Sequence, residues 1–378
     1  MKTSFGAIFE RPFGSPRYGV KLAVAVAAIS VFGLVMLYSA SYYTAQYKYG
    51  DAFYYVKKQA IALAVAVVAL VGMARVPLRL VRRCQIPLLV VSYVLMGLVF
   101  IPALGVESYG ARRWLNLGFI SMQPSEIAKF AYVLCCAGWM DRYGVDKLRT
   151  LLPPLLMGAG FCVLLLLEPN MSVTMIMLGL ILVMLYVGGA KGKYFALLAI
   201  PIAVAVPVLI MMEPYRLQRL MAFLDPWASP KGEGYQLIQS YYALGSGGIF
   251  GVGFLHSRQK YMFLPFAESD FIFSVIGEEW GLVGAVAVLA AFVYVVYLGY
   301  RIAARASNRF DAMLAYGITS VIALQTLLNV AVVTGCVPPT GVPLPFVSFG
   351  GSSLVCFSAA AGVLVGIDRV NDKGPFIQ

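Results

Sequence analysis

Asp270 stands where a long polar, glycine-rich stretch gives way to an apolar run, in Leu264-Pro265-Phe266-Ala267-Glu268-Ser269-Asp270-Phe271-Ile272-Phe273. A carboxylate at such a boundary can take a proton from a substrate hydroxyl. It can equally open a helix, because the dipole favours negative charge there. Arg258 and Lys260 precede it, and Gly245-Ser246-Gly247-Gly248 and Gly251-Val252-Gly253 permit tight turns and close backbone approach, which favours a shaped site. Ser274 and Glu278 follow Asp270 at steps of four, the spacing of one helix face. Glu278 would then lie about 12 Å deeper at 1.5 Å per residue. A charge at that depth needs a partner or a polar cavity. Gln325 and Asn329, also four apart, are candidates to meet it, in a structural network as readily as in a catalytic one.

Two further segments carry chemistry. In Gly110-Ala111-Arg112-Arg113-Trp114, a tryptophan suited to headgroup depth adjoins two guanidinium forks that can reach phosphate oxygens. Met122-Gln123-Pro124-Ser125-Glu126-Ile127-Ala128-Lys129 reads as a helix entry, with Glu126 and Lys129 on one face as a local ion pair or as ligands. Arg113 and Lys129 are the better anion-binding candidates. The third segment, Pro338-Pro339-Thr340-Gly341-Val342-Pro343-Leu344-Pro345-Phe346-Val347-Ser348-Phe349, has four prolines and cannot be a continuous helix, yet it is too apolar for a solvated loop. It reads as an irregular connection buried against protein. Gly350-Gly351-Ser352-Ser353 then opens a helix whose free N–H groups could cradle an anion, or whose small residues simply pack.

The elements that must position these residues are membrane spans. The chain of 378 residues is 61% hydrophobic and only 12% charged, more apolar surface than a soluble core absorbs. Hydropathy places about ten spans, at 20–40, 57–74, 86–103, 126–140, 151–167, 172–189, 194–212, 271–299, 310–334 and 350–367. Fifth and sixth meet at Glu168-Pro169-Asn170, a tight hairpin. With both termini cytoplasmic, every inner segment is basic: Arg75, Arg79, Arg82 and Arg83; Arg142, Lys147 and Arg149; Lys191 and Lys193; Arg301, Arg305 and Arg309; Arg369 and Lys373. The outer side then holds 104–125, a large loop at 213–270 between spans seven and eight, and 335–349. Against the charge rule these carry Arg112, Arg113, Arg216, Arg219, Lys231, Arg258 and Lys260, which an outer-surface anion or anionic headgroups would explain. The chain, 1–378, thus reads as one all-α polytopic membrane unit with no cleavable signal peptide.

Several classes recede. The net charge of +12 is accounted for by basic inner loops rather than nucleic acid. A single histidine, His256, leaves no Ser-His-Asp triad or multi-histidine metal site, and the six cysteines form no CxxC set. No GxxxxGK[ST] loop supports nucleotide hydrolysis.

Arg112-Arg113-Trp114 with Gln123-Pro124-Ser125-Glu126, Asp270-Phe271-Ile272-Phe273 with Gly277-Glu278-Glu279, and Pro343-Leu344-Pro345-Phe346 leading to Gly350-Gly351-Ser352-Ser353, in that order on ten spans, resemble the SEDS family of bacterial shape, elongation, division and sporulation proteins. The resemblance covers nearly the whole chain and is nearer the FtsW/SpoVE branch than RodA. It implies an inverting peptidoglycan glycosyltransferase in the bacterial cytoplasmic membrane, facing outward. Its substrates would be lipid II and glycan linked to undecaprenyl pyrophosphate, and its partner a class B penicillin-binding protein. Asp270 matches the family's essential outer-loop aspartate. With it come substrate-binding expectations for Arg112, Arg113, Glu126, Lys129, Arg258, Lys260, Glu278 and Ser352, and a divalent cation, Mg or Mn, compatible with holding pyrophosphate although no dedicated metal site is visible. Glu168-Pro169-Asn170 departs from the Gln-Pro-Asp common in relatives, and Glu268 from their usual pattern, so no role is carried to either. A lipid II flippase and a non-catalytic scaffold for the penicillin-binding protein are the competing readings.

Overall fold

Long apolar runs can cross a bilayer only if each satisfies its own backbone, and here each does so as a helix. A computed structural model of the protein describes residues 18–108, 111–116 and 121–372. A helix falls on each of the ten expected intervals, although the third stops at Leu98, short of the expected 103: α1 (Tyr18–Tyr49), α2 (Tyr54–Arg75), α4 (Gln85–Leu98), α5 (Pro124–Tyr143), α6 (Leu148–Leu167), α7 (Met171–Gly188), α8 (Gly192–Met211), α11 (Ile272–Ala304), α12 (Arg309–Val333) and α13 (Gly351–Asp372). Seven of these helices are long and apolar enough to span. The short α3 (Leu78–Arg83) carries Arg79, Arg82 and Arg83 between α2 and α4.

The ends follow local chemistry. Pro124 sits in the first turn of α5, where its missing N–H costs nothing. The Asn170 side chain accepts from Val173 N at 3.4 Å and starts α7 immediately after the Glu168-Pro169 corner. Gly189, with φ +85°, ends it in a left-handed cap. Asn308 opens α12, its side-chain oxygen accepting from Asp311 N at 2.8 Å.

At the centre, α12 packs on α11, α5 and α7, while α13 packs on α2 and α1. α2 shows most of its surface outward, as expected of a lipid-facing helix.

The segments taken as outer loops contain regular structure among their described residues. Three strands, β1 (Gly105–Ser108), β2 (Ala111–Asn116) and β3 (Ser121–Met122), form an antiparallel sheet in that spatial order. Hydropathy gives no hint of it. The large loop contains α9 (Pro214–Leu224) and α10 (Tyr235–Gly247). Its glycines serve close backbone approach: α11 breaks at Gly281 (φ +67°), and the loop enters the break. Leu282 N donates to Gly248 O at 2.9 Å and Val252 N to Glu278 O at 2.9 Å. A Cβ on Gly281 would stand 2.3 Å from Gly251 N, so no larger residue fits.

Candidate active site

Asp270 lies in the turn just before α11, which begins at Ile272. It therefore does not continue a helical face with Ser274 and Glu278 as the spacing suggested. Ser274 Oγ instead meets Ser240 Oγ at 2.8 Å. Asn329 on α12 fixes the Asp270 backbone: its Nδ2 donates to Asp270 O at 2.8 Å and to Val342 O at 2.7 Å. Gln325 donates to Pro343 O at 3.0 Å. These two amides hold the proline-rich segment rather than meeting Glu278. From the other side Gln59 on α2 donates to Ser348 O at 3.1 Å and accepts from Gly350 N at 3.2 Å. Ser348 Oγ donates to Ser269 O, and Phe349 N to Glu268 O at 2.9 Å. Side chains thus satisfy backbone that prolines withhold from regular structure, as the expected buried, irregular connection requires.

That segment presents Gly341 to the carboxylate. A Cβ there would lie 2.7 Å from Asp270 Oδ2. Gly341→Ala is therefore expected to push the carboxylate aside and lower activity by about tenfold or more, since a displacement of about 1 Å can cost about a hundredfold. Unchanged turnover in a Gly341→Ala protein of unaltered melting temperature would show that the contact does not position the acid.

Gly341 and Thr340 also line a partly open cavity of about 590 Å³, counting its mouth, together with Arg113, Arg216, Arg219 and Pro169. Arg113 reaches it from β2, donating to Glu168 O at 3.3 Å and Pro169 O at 2.5 Å. Arg216 and Arg219 come from α9; Arg216 donates to Leu166 O at 3.4 Å and Arg219 to Pro339 O at 3.0 Å. Arg219 also pairs with Glu233 at 3.7 Å. Three guanidinium groups beside a carboxylate make a cationic hollow suited to a phosphate-bearing ligand. Arg216 and Arg219 were visible in the sequence only as outer charges; their chain distance from Asp270 hid their place.

Burial and the neighbouring Glu268 push the Asp270 carboxyl up to about 7, against the opposing pull of Arg113 and Arg219. A base must be ionised to accept a proton. Turnover is therefore expected to rise with pH through about 7 and level off above it; a flat profile from acid to neutral would remove Asp270 ionisation from the rate. Burial also drives Glu168 from 4.5 up to about 8, with Arg113 opposing. It is 1% exposed, and among the described residues neither carboxyl oxygen has a hydrogen-bond partner. The folded state keeps this proton between those two values while the unfolded chain releases it, so stability falls as pH rises through that window. Glu168→Gln is expected to melt above the parent at pH 8 and level with it near pH 4, and parallel melting curves at both pH values would contradict this.

Other residues expected to bind substrate are engaged elsewhere. Lys129, wholly buried, donates to Glu126 Oε1 at 2.9 Å and to Gln325 Oε1, and it faces the Phe357 ring. It holds α5 to α12, and the anion-binding expectation for it is corrected, because its ammonium is already neutralised. Glu126 also accepts from Ser353 Oγ at 3.0 Å, and Ser352 Oγ from Gln123 N at 3.5 Å. The start of α13 is therefore a packing joint to α5 rather than an anion cradle. Lys260, 1% exposed, pairs with Glu279 at 2.8 Å, and Ser39 Oγ donates to the same carboxylate at 2.5 Å. Glu278 accepts from Arg258 N at 2.8 Å and from Ser257 Oγ, so it fastens the loop instead of facing a ligand. The Arg258 side chain is exposed at that fastening, and Arg112 pairs with Glu107 at 3.2 Å on the hairpin. Of the outer basic residues, the structure brings Arg113, Arg216 and Arg219 to the cavity beside Asp270, and only Arg113 among them was expected to bind substrate. Among the described residues no three His, Cys, Asp or Glu side chains gather as a metal site.

Fold and site together define a polytopic membrane protein with an acid beside a cationic cavity, roofed by an irregular proline-rich segment. Residues 20–373 match the family of cell cycle proteins FtsW, RodA and SpoVE, and the chain belongs to that family. It is 36% identical to stage V sporulation protein E of Bacillus subtilis (strain 168), over 92% of this chain and 96% of that protein. It is 38% identical to the probable peptidoglycan glycosyltransferase FtsW of Trichlorobacter lovleyi, over 95% of each. In structure it is similar to a chain of a peptidoglycan synthase complex that coordinates polymerization and crosslinking, with a TM-score of 0.79, 27% identity, and coverage of 94% and 98%. The fold is also that of the rod shape determining protein RodA of Thermus thermophilus, with a TM-score of 0.69 at 24% identity over 92% of this chain and 96% of that one.

Proposed function

We propose that the protein is a peptidoglycan glycosyltransferase that polymerises lipid II into glycan strands at the outer face of the bacterial cytoplasmic membrane. It crosses that membrane ten times with both termini inside, and it works with a class B penicillin-binding protein. The observation that carries this reading is the Asp270 carboxylate placed against Gly341 at the edge of a cavity lined by Arg113, Arg216 and Arg219.

Asp270 takes the proton from the 4-hydroxyl of the acceptor's N-acetylglucosamine. That oxygen attacks the anomeric carbon of the donor strand and inverts it. The bond from that carbon to the pyrophosphate oxygen breaks, and the three arginines receive the departing charge. The proton remains on Asp270 and passes to solvent before the next turnover. A carboxyl whose affinity for protons lies near neutrality suits both halves of this cycle.

Translocation of lipid II would require polar groups open along a path through both leaflets. The buried pairs Lys129–Glu126 and Lys260–Glu279 are instead closed on themselves. The test is to incubate the purified protein, alone and with its cognate partner, with labelled lipid II and to read glycan length on a gel. Polymer is the expected product. No polymer while the partner is demonstrably bound would overturn the reading, and a lipid II translocation assay would then separate flippase from scaffold.

A further inference from the structure

Seven of the chain's 23 tyrosines fall between positions 38 and 55, where α1 ends and α2 begins. Tyrosines at a bilayer boundary commonly anchor helices, each ring seated at the interface. The arrangement here is different. Tyr49 and Tyr54 stack face to face at 3.8 Å, and Tyr55 stands edge-on to both, at 5.9 and 5.4 Å. Tyr49 remains half exposed and Tyr47 is 72% exposed. Lys58 donates to the Tyr54 hydroxyl at 2.6 Å and lies over its ring.

This group is continuous with the candidate active site. The Tyr55 ring meets Phe349 edge-on at 4.9 Å, and Phe349 N is bound to Glu268 O, two residues from Asp270. The Glu268 carboxyl feels the charge of Lys48, which adjoins Tyr49. Two neighbourhoods thus meet at Asp270: a cationic cavity through Gly341, and an aromatic shelf through Glu268 and Phe349.

A sugar ring offers a face of C–H groups ringed by hydroxyls. An aromatic face carries negative charge that attracts those C–H groups, and phenol and ammonium groups around it can bond the hydroxyls. We infer that the tyrosine shelf at the junction of α1 and α2 is a subsite for sugar rings of the growing glycan strand, holding the polymer while its pyrophosphate end occupies the arginine cavity. The inference rests on the glycosyltransferase reading. It gives the shelf a distinct consequence: it governs how long a strand stays bound, and not how fast one linkage forms.

The experiment compares the full-length protein, with its partner, against Tyr49→Ala/Tyr54→Ala and Tyr49→Phe. Two quantities are read: the glycan length distribution from lipid II, and saturation-transfer NMR of a soluble β-1,4-linked N-acetylglucosamine hexamer. The double alanine variant is expected to bind the hexamer about fivefold more weakly and to make shorter strands, with the early rate of lipid II consumption unchanged. The phenylalanine variant keeps the stacking face and should retain hexamer binding. Equal hexamer binding and equal strand length in parent and double variant would overturn the inference. A lowered melting temperature in vesicles with undiminished hexamer binding would also overturn it, in favour of a membrane anchor. Hexamer binding that is lost as expected, in a protein that makes no polymer, would uphold the shelf as a glycan site while removing the polymerase reading.

Discussion

Asp270→Asn is expected to lower lipid II polymerisation by at least about a hundredfold, the lower bound for loss of a general base. Asparagine preserves the shape beside Gly341 and the backbone bond to Asn329, so the cavity should stand. Only the capacity to accept the hydroxyl's proton is removed. The parent acid ionises at a cost, because burial opposes its charge. The variant should therefore melt no lower than the parent near neutral pH while losing activity. Partner binding and melting temperature are the controls, and a variant that polymerises at the parental rate would eliminate Asp270 as the base.

Lys260→Met is expected to cost about 3–5 kcal/mol of stability, the range for breaking a buried pair from one side. Both side chains of the Lys260–Glu279 pair are 0% exposed. Methionine would leave the Glu279 carboxylate with Ser39 Oγ at 2.5 Å and Ser257 N at 3.3 Å, and without a countercharge. Replacing both members, Lys260→Met with Glu279→Leu, should recover most of the loss, because two desolvated charges are removed together. Thermal unfolding of the two single variants and the double variant decides the matter. Simple additivity would show that the two residues do not stabilise the fold as a pair.

Hydropathy located the helices because a bilayer imposes one solution on apolar chain, and a helix falls on each expected interval. The hairpin at Glu168-Pro169-Asn170 and the buried proline-rich segment were legible for the same reason: proline constrains backbone wherever it stands. Asp270 was legible as a lone acid at a boundary. The partition of the basic residues was not. Lys129 and Arg113 look alike in sequence, and only packing shows that one closes on Glu126 and Gln325 while the other reaches the cavity. Arg216 and Arg219 join Asp270 through α9, some fifty positions away in sequence. Gln325 and Asn329 are legible as a polar pair at helical spacing, but not their partners: they hold Pro343, Asp270 and Val342, while Glu278 fastens the loop at Ser257 and Arg258.

The fastening of the proline-rich segment also has a temporal side. Asp270 becomes part of the nascent chain before three residues that fix its surroundings, since Asn329, Gly341 and Ser348 all follow it. A ribosome that has delivered α11 into the membrane has made the acid but not its setting. That setting is complete only once α12, the proline-rich segment and α13 have been made, so a chain truncated after α11 carries the aspartate without Asn329, Gly341 or Ser348.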